Sequence, residues 1–203
     1  MQVFSEYDNI HKLIRLRYNQ NVNLLKRFKK LIEKIDDKFF YAVMGGVAVD
    51  GYVGKLTRNH HDVDMIIFRE DVDRAETVLD DLGYKPKRFT HPEKPNLEYK
   101  MQTGDEDHLF SFQILDRIDN DKFEISFYRD PYLVFPLHYI KTPTWLELEG
   151  IKFPVVSKEF LIKLKENELM FFEKLKRNNR EKYEEKRKQK HINSLHDLEL
   201  LRK

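Results

Sequence analysis

Apolar residues recur every three or four positions near the start of the chain, with lysines between them. This spacing predicts an amphipathic helix, which we extend over residues 8–36. The residues that carry the pattern are Leu24, Leu25, Phe28, Leu31, Ile32 and Ile35. The apolar run Phe39–Met44 follows and stops at Gly45-Gly46. A short apolar run that ends in two glycines predicts a buried strand closed by a tight turn.

Helical and extended patterns continue to alternate as far as residue 84. Val47–Lys55 predicts a helix, and the apolar run Val63–Phe68 predicts a second buried strand. After Asp71, apolar residues again fall on one helical face, and Gly83 follows as a typical helix C-cap. The first part of the chain is therefore expected to run helix, strand, helix, strand, helix.

The pattern changes in the middle of the chain. Three prolines between Lys85 and Pro95 predict a loop. Three strand candidates follow, separated by acidic turns: Leu97–Gln102, Leu109–Leu115 and Phe123–Tyr128. Short strands joined by polar turns are typical of an antiparallel meander, so strands and helices are partly segregated.

The last part of the chain is expected to be helical. Trp145–Val155 predicts a small hairpin around Gly150, and Ser157 is a suitable N-cap for a helix. From there to Lys203 the sequence is rich in Lys, Arg and Glu at helical spacing. We therefore divide the chain into one mixed domain, residues 1–156, and a helical C-terminal segment, residues 157–203, packed on or near the cleft.

Composition limits the classes of function. The 203 residues are 40% hydrophobic, enough for one substantial core with a small helical appendage. Lys and Arg number 37 against 35 Asp and Glu, so the net charge of +2 does not favour a nucleic-acid partner. With no cysteine, any metal must bind oxygen or imidazole nitrogen. No signal sequence or membrane span is indicated, so we expect a cytoplasmic protein; its oligomeric state is not indicated.

The residues most suggestive of chemistry are two aspartates at the start of the second strand. Asp62 and Asp64 are two positions apart, so they share one face of the strand, about 7 Å from each other, and can reach one cation. With 35 acids in the chain, about six such pairs are expected by chance, so the context decides. Gly45 and Gly46 allow close approach of phosphate to a helix N-terminus, and Arg58 could contact phosphate oxygens.

The string from Gly45 to Asp64 resembles the polymerase-β-like nucleotidyltransferase superfamily, and most closely its aminoglycoside and lincosamide nucleotidyltransferases. Those enzymes show a glycine pair, an Ala-x-Asp step on the next helix, and an Arg-x-His-x-Asp-x-Asp run. Val47-Ala48-Val49-Asp50 and Arg58-Asn59-His60-His61-Asp62-Val63-Asp64 match in order and spacing. The resemblance implies an α+β nucleotidyltransferase fold, with a mixed, mostly antiparallel central sheet, helices on one face and a helical C-terminal tail.

The resemblance also implies an activity. It predicts transfer of NMP, in the first instance AMP, from ATP or another NTP to a hydroxyl of a small molecule such as an aminoglycoside- or lincosamide-like antibiotic. Asp62 and Asp64 would bind Mg²⁺ and act in catalysis, while Gly45, Gly46, Arg58 and His60 would contact the nucleotide. Two alternatives remain: a toxin-type nucleotidyltransferase acting on tRNA or protein, and an inactive nucleotide-binding module.

The superfamily also uses a third carboxylate on a later strand, for metal binding and catalysis. We assign it to Glu124, which lies between apolar residues of a predicted strand, with Asp116 and Asp107 as competitors. The general base is left open between Glu124 and an acid in the group Asp105, Glu106 and Asp107.

Several residues near the motif also have purely structural interpretations. Asp50 is expected to support the helix rather than to act in catalysis. His60 could orient Asp62 or a phosphate rather than take a direct part. Lys182, Lys186 and Lys190 could form an ordinary solvated helix face, or they could steer a triphosphate.

Overall fold

The computed structural model describes residues 21–104, 109–127 and 133–203, without the side chains of Leu109, Glu185 and Lys186. A helix, α1, covers residues 21–35, so the described part of the predicted first helix is helical. Residues 8–20 of that prediction lie outside the described residues. The other elements are β1 (Ala42–Met44), α2 (Gly45–Val53), β2 (Asp62–Phe68), α3 (Val72–Asp81), β3 (Lys87–His91), β4 (Lys94–Gly104), β5 (Leu109–Arg117), β6 (Lys122–Ile125), β7 (Leu133–Pro136), α4 (His138–Lys141), β8 (Thr144–Leu148), β9 (Ile151–Val155), α5 (Lys158–Asn178), α6 (Arg180–Lys186) and α7 (Lys188–Leu201).

The strands form one open, mixed sheet, in the order β3-β4-β5-β2-β1-β9-β8. Strand β6 pairs with β5, and β7 pairs with β6. The β2–β5 and β1–β9 pairs are parallel, and the other pairs are antiparallel, including the predicted meander of β4, β5 and β6. The α+β class and the mixed, mostly antiparallel sheet are therefore confirmed. The short strand β1 lies beside β2 near the middle of this sheet.

Aromatic side chains carry much of the packing between helices and sheet. The rings of Phe28 on α1 and Phe153 on β9 are in contact, with centroids 5.3 Å apart. Phe153 also lies beside Gly51 of α2. Phe160 of α5 packs edge-on against Phe123 and Phe135 of β6 and β7. Burying each such ring contributes a few kcal/mol, which fixes the helices against the strands.

Helix ends follow the predicted caps. Gly83 adopts a left-handed φ of 80° after α3, and the N–H of Tyr84 reaches back to the carbonyl of Leu79 at 3.0 Å. The Ser157 hydroxyl accepts a hydrogen bond from the Phe160 N–H at the start of α5. The C-terminal segment is not one helix, because a new helix begins after Asn179, whose side chain caps α6.

The loop predicted between Lys85 and Pro95 is wrong, since β3 and the start of β4 occupy this stretch. The three prolines avoid the ladder: Pro86 precedes β3, Pro92 lies in the turn, and Pro95 is the second residue of β4. The β3–β4 register is irregular around Thr90, and β3 is an edge strand. Edge strands tolerate prolines and irregularities because they lack a partner on one side. In the described parts of the chain, no helix is long and apolar enough to cross a membrane.

Candidate active site

The two motif aspartates lie on β2 at the C-terminal end of β1, where Met44 pairs in register with Asp64. Asp62 is exposed and Asp64 is half-buried. Burial, and then the negative charge of Asp62, raise the pKa of Asp64 to about 6, although three lysines act in the opposite direction. Two carboxylates that repel each other on one face are the oxygen donors that Mg²⁺ prefers, so the residues present fit a divalent cation.

The glycine turn lies directly against these carboxylates. Gly45 has a left-handed φ of 71°, and a Cβ atom there would lie 2.5 Å from Oδ2 of Asp64. A Cβ atom on Gly46 would collide with the guanidinium of Arg58 and with Cε1 of His60, the latter at 2.8 Å. Glycine at both positions therefore leaves the backbone at the start of α2 free of side chains beside Asp64, Arg58 and His60, which is the kind of helix N-terminus that a phosphate can approach closely.

Arg58 is held by a carboxylate of the last helix. Its Nε and Nη2 atoms each lie 3.2 Å from an oxygen of Asp197, and Nζ of Lys165 lies 2.9 Å from the same carboxylate. The Asp197 side chain is only 1% exposed. Burial alone would raise the pKa of Asp197, but Lys165 and Arg58 outweigh it and hold that pKa below its ordinary value. The structure thus ties Arg58 to α7, a role that the motif did not indicate.

His60 is also engaged by the protein itself. Its Nε2 atom lies 2.7 Å from Oδ2 of Asp50, and the Thr57 hydroxyl donates to the other oxygen of Asp50 at 2.5 Å. The backbone N–H of His60 donates to the side chain of Asn21 on α1 at 3.0 Å. Asp50 and His60 are both buried. These bonds fix the loop between α2 and β2, in keeping with the structural interpretation of Asp50.

Three lysines from distant parts of the chain direct positive charge at Asp64: Lys100 of β4, Lys165 of α5 and Lys190 of α7. Burial lowers the pKa of Lys100, partly offset by the negative charges of Asp64 and Asp62. The sequence pattern singled out Lys190 but gave no local signal for the other two. Together they make the surroundings of the acid pair suitable for a polyanion such as a triphosphate.

The structure does not bring Glu124 or Asp116 to the aspartate pair. Asp64 pairs in register with Ser111 on β5, whereas Glu124 pairs with Asp116, five residues further along β5. Five residues of strand span about 17 Å, and an odd separation places the side chains on opposite faces of the sheet. Asp116 is instead bonded to Arg69, with its oxygens 2.5 and 2.7 Å from the guanidinium. Burial, followed by the charge of Asp116, raises the pKa of Glu124.

The position beside Asp64 on β5 is therefore held by a serine. Among the described residues, no three His, Cys, Asp or Glu side chains are grouped closely enough to hold a metal ion. Asp105, Glu106 and Asp107, which the sequence offered as a third acid or a base, lie outside the described residues. Ser111 is 1% exposed, and its hydroxyl makes no hydrogen bond with any residue in the described ranges. An unpaired buried hydroxyl costs roughly 1–3 kcal/mol.

A cavity of about 380 Å³ lies away from this site. Its lining includes Asp36 and Phe40, just before β1, and Trp145 on β8, but neither aspartate of the pair. The acid pair lies beside the opposite, C-terminal end of β1, where Met44 pairs with Asp64. The cavity therefore belongs to a different part of the surface from the acid pair.

Solved structures with a similar fold include two antibiotic-modifying enzymes. Lincomycin-bound lincosamide antibiotic adenylyltransferase LnuA is 18% identical, with a TM-score of 0.53, and the match covers 91% of this chain and 95% of that one. ANT(2'')-Ia in complex with adenylyl-2''-tobramycin is 17% identical, with a TM-score of 0.52 and coverage of 87% and 93%. A putative nucleotidyltransferase from Thermotoga maritima is 16% identical, with a TM-score of 0.52 and coverage of 75% and 90%.

These similarities identify a nucleotidyltransferase fold, as the sequence predicted. A search of curated proteins finds no match. The family model described as aminoglycoside-2''-adenylyltransferase matches residues 25–191, which includes the glycine turn, the acid pair and all three lysines. The chain therefore belongs to the aminoglycoside-2''-adenylyltransferase family.

Proposed function

We propose that this protein transfers AMP from ATP to a hydroxyl of an aminoglycoside-like acceptor, with Mg²⁺ bound by Asp62 and Asp64. The observation that carries the proposal is the contact between the glycine turn and the acid pair, in which Gly45 approaches Asp64 more closely than any side chain would allow. Membership of the family supports adenylyl transfer. The lincomycin and adenylyl-tobramycin complexes of the similar structures support a small hydroxylated antibiotic as acceptor.

In the proposed reaction, an acceptor oxygen forms a bond to the α-phosphorus of ATP, and the bond between that phosphorus and the bridging oxygen to the β-phosphate breaks. The products are the adenylylated acceptor, pyrophosphate and a proton. When bound, Mg²⁺ would offset the charge of the triphosphate and make the α-phosphorus a better electrophile.

The protein's own residues would position the donor and receive charge. Asp62 and Asp64 would anchor the cation side, and backbone N–H groups at Gly45 and Gly46 would lie close to phosphate oxygens. Lys100, Lys165 and Lys190 would stabilise the charge that collects on the departing pyrophosphate. Arg58 and His60, being held by Asp197 and Asp50, would keep the loop before β2 in place.

One observation favours a second candidate, an inactive nucleotide-binding module. Among the described residues, a serine rather than a third carboxylate stands beside Asp64. Such a module would bind ATP with Mg²⁺ but would release no pyrophosphate with any acceptor.

The test measures pyrophosphate release and the mass of the acceptor after incubation with Mg²⁺ and each NTP. The acceptor panel contains aminoglycosides, lincosamides, tRNA and protein. We expect an added AMP on one or more aminoglycosides, a loss of at least ~100-fold in Asp64→Asn, and full activity in the control Asp80→Asn, an exposed aspartate on α3. Tight ATP binding with no product from any acceptor would establish the inactive module. Equal activity of Asp64→Asn would refute the metal assignment.

A further inference from the structure

Ser111 is the one neighbour of the acid pair whose polar atom is buried yet unused within the described residues. Strand β5 runs parallel to β2, and Ser111 pairs in register with Asp64, so the two side chains emerge on the same face of adjacent strands, about 5 Å apart at the backbone. Ser111 is 1% exposed, and its Oγ has no hydrogen-bond partner among the residues described.

The other buried polar side chain on this face of β5 is Gln113, and its amide finds partners within the protein. Gln113, two residues further along β5, is also buried, and in the amide orientation that suits its surroundings its nitrogen donates to the backbone carbonyls of Ser126 at 3.2 Å and Tyr99 at 3.0 Å. Hydrogen-bonding groups that are buried in proteins are normally paired, and exceptions occur where a group serves a ligand. The in-register pairing places Ser111 beside Asp64, and a serine hydroxyl carries two acceptor lone pairs.

We propose that Ser111 Oγ is the third protein oxygen of the divalent-cation site, completing the set that Asp62 and Asp64 begin. This inference rests on the proposed function of that pair. A Ser or Thr hydroxyl binds Mg²⁺ in other nucleotide sites, so the protein would supply two negative charges to this site rather than three.

Lysines near Asp64 affect how tightly the site binds a divalent cation in the absence of nucleotide. Lys100, Lys165 and Lys190 direct positive charge at Asp64 and oppose a free divalent cation. Because Lys165 is paired with the Asp197 carboxylate, Lys100 and Lys190 are the ammonium groups that mainly weaken binding of the free cation. Since the triphosphate brings its own negative charge, the cation and the nucleotide bind together.

The assignment is tested by the affinity of the full-length protein for Mn²⁺, used as the probe and followed by its EPR signal without nucleotide. Ser111→Asp adds a carboxylate beside Asp64 and should tighten Mn²⁺ binding about tenfold or more, because a divalent ion and a unit charge about 5 Å apart attract strongly even in water. Thr90→Asp adds the same charge on exposed edge strand β3 and serves as the control, with affinity close to wild type.

A second variant removes only the oxygen. Ser111→Ala should weaken Mn²⁺ binding several-fold in the presence of a non-hydrolysable ATP analogue, with an unchanged thermal unfolding curve. If Ser111→Asp folds but binds Mn²⁺ no better than Thr90→Asp, or if Ser111→Ala binds as wild type does, the assignment is overturned. Asp64→Asn tests separately whether the acid pair binds the cation at all. If that variant binds Mn²⁺ with the analogue as tightly as wild type, the proposed function is rejected independently of the Ser111 assignment.

Discussion

Asp197 should be the most sensitive position for the attachment of the last helix to the site. We expect Asp197→Asn to keep the shape of the side chain while removing the charge that holds Arg58 and Lys165. Removing one partner of a buried ion pair costs about 3–5 kcal/mol. Because the side chains of Arg58 and Lys165 are still 23% and 12% exposed, water compensates part of the loss, and we expect about 2–3 kcal/mol.

For a chain of this size, each kcal/mol lowers Tm by roughly 2–4 °C, so the variant should melt about 4–12 °C below wild type. The measurement is urea denaturation with thermal unfolding as a check, and the matched control is Glu199→Gln, an exposed acid on the same helix. The control should change the free energy of unfolding by less than about 0.5 kcal/mol. A loss below ~0.5 kcal/mol in Asp197→Asn would show that the ion pairs do not hold α7 in place.

Three further predictions concern pH, the glycine turn and the third acid. The pKa of Asp197 is lowered in the folded protein, so the stabilisation by its carboxylate is fully present above the unfolded pKa of about 4 and is lost as pH falls through the folded pKa. The difference in free energy of unfolding between wild type and Asp197→Asn, measured at decreasing pH, should therefore become smaller. Gly45→Ala should lower kcat/KM at least ~tenfold, because the new Cβ atom meets Asp64 and the left-handed φ costs about 1–2 kcal/mol; unchanged kinetics would mean that this contact is unimportant. Glu124→Gln should keep adenylyl transfer within about twofold of wild type, since Glu124 pairs with Asp116 away from the acid pair, and a collapse of activity would restore it as the third acid.

Local patterns were sufficient for the elements that carry the motif. The apolar run before Gly45 forms β1, the run after Asp62 forms β2, and Ser157 caps α5 as expected. These features depend on hydrophobic spacing and on the backbone preferences of glycine and serine, which are properties of a few neighbouring residues. Strand β3 escaped prediction because its prolines lie at the ends and its irregular edge position removes the usual alternation.

The composition of the site depends on register between distant strands, which one sequence does not reveal. Glu124 satisfied the local pattern of an acid between apolar strand residues, yet the pairing of β5 with β2 places Ser111 beside Asp64. Lys100 and Asp197 likewise reach the site only through the packing of β4 and α7. No local sequence pattern marks such residues, because their place in the site depends on how the sheet and the last helix pack.

The ion pair between Arg58 and Asp197 also bears on how the protein folds during synthesis. The two residues are 139 positions apart, so at about 5–20 residues per second the glycine turn and the acid pair are synthesised roughly 7–28 s before the carboxylate that fixes Arg58. Contacts of such long sequence separation form late because closing the intervening chain costs entropy. A nascent chain therefore carries the acid pair before the carboxylate that fixes Arg58 has been synthesised, and the surroundings of the pair are complete only after α7 has docked.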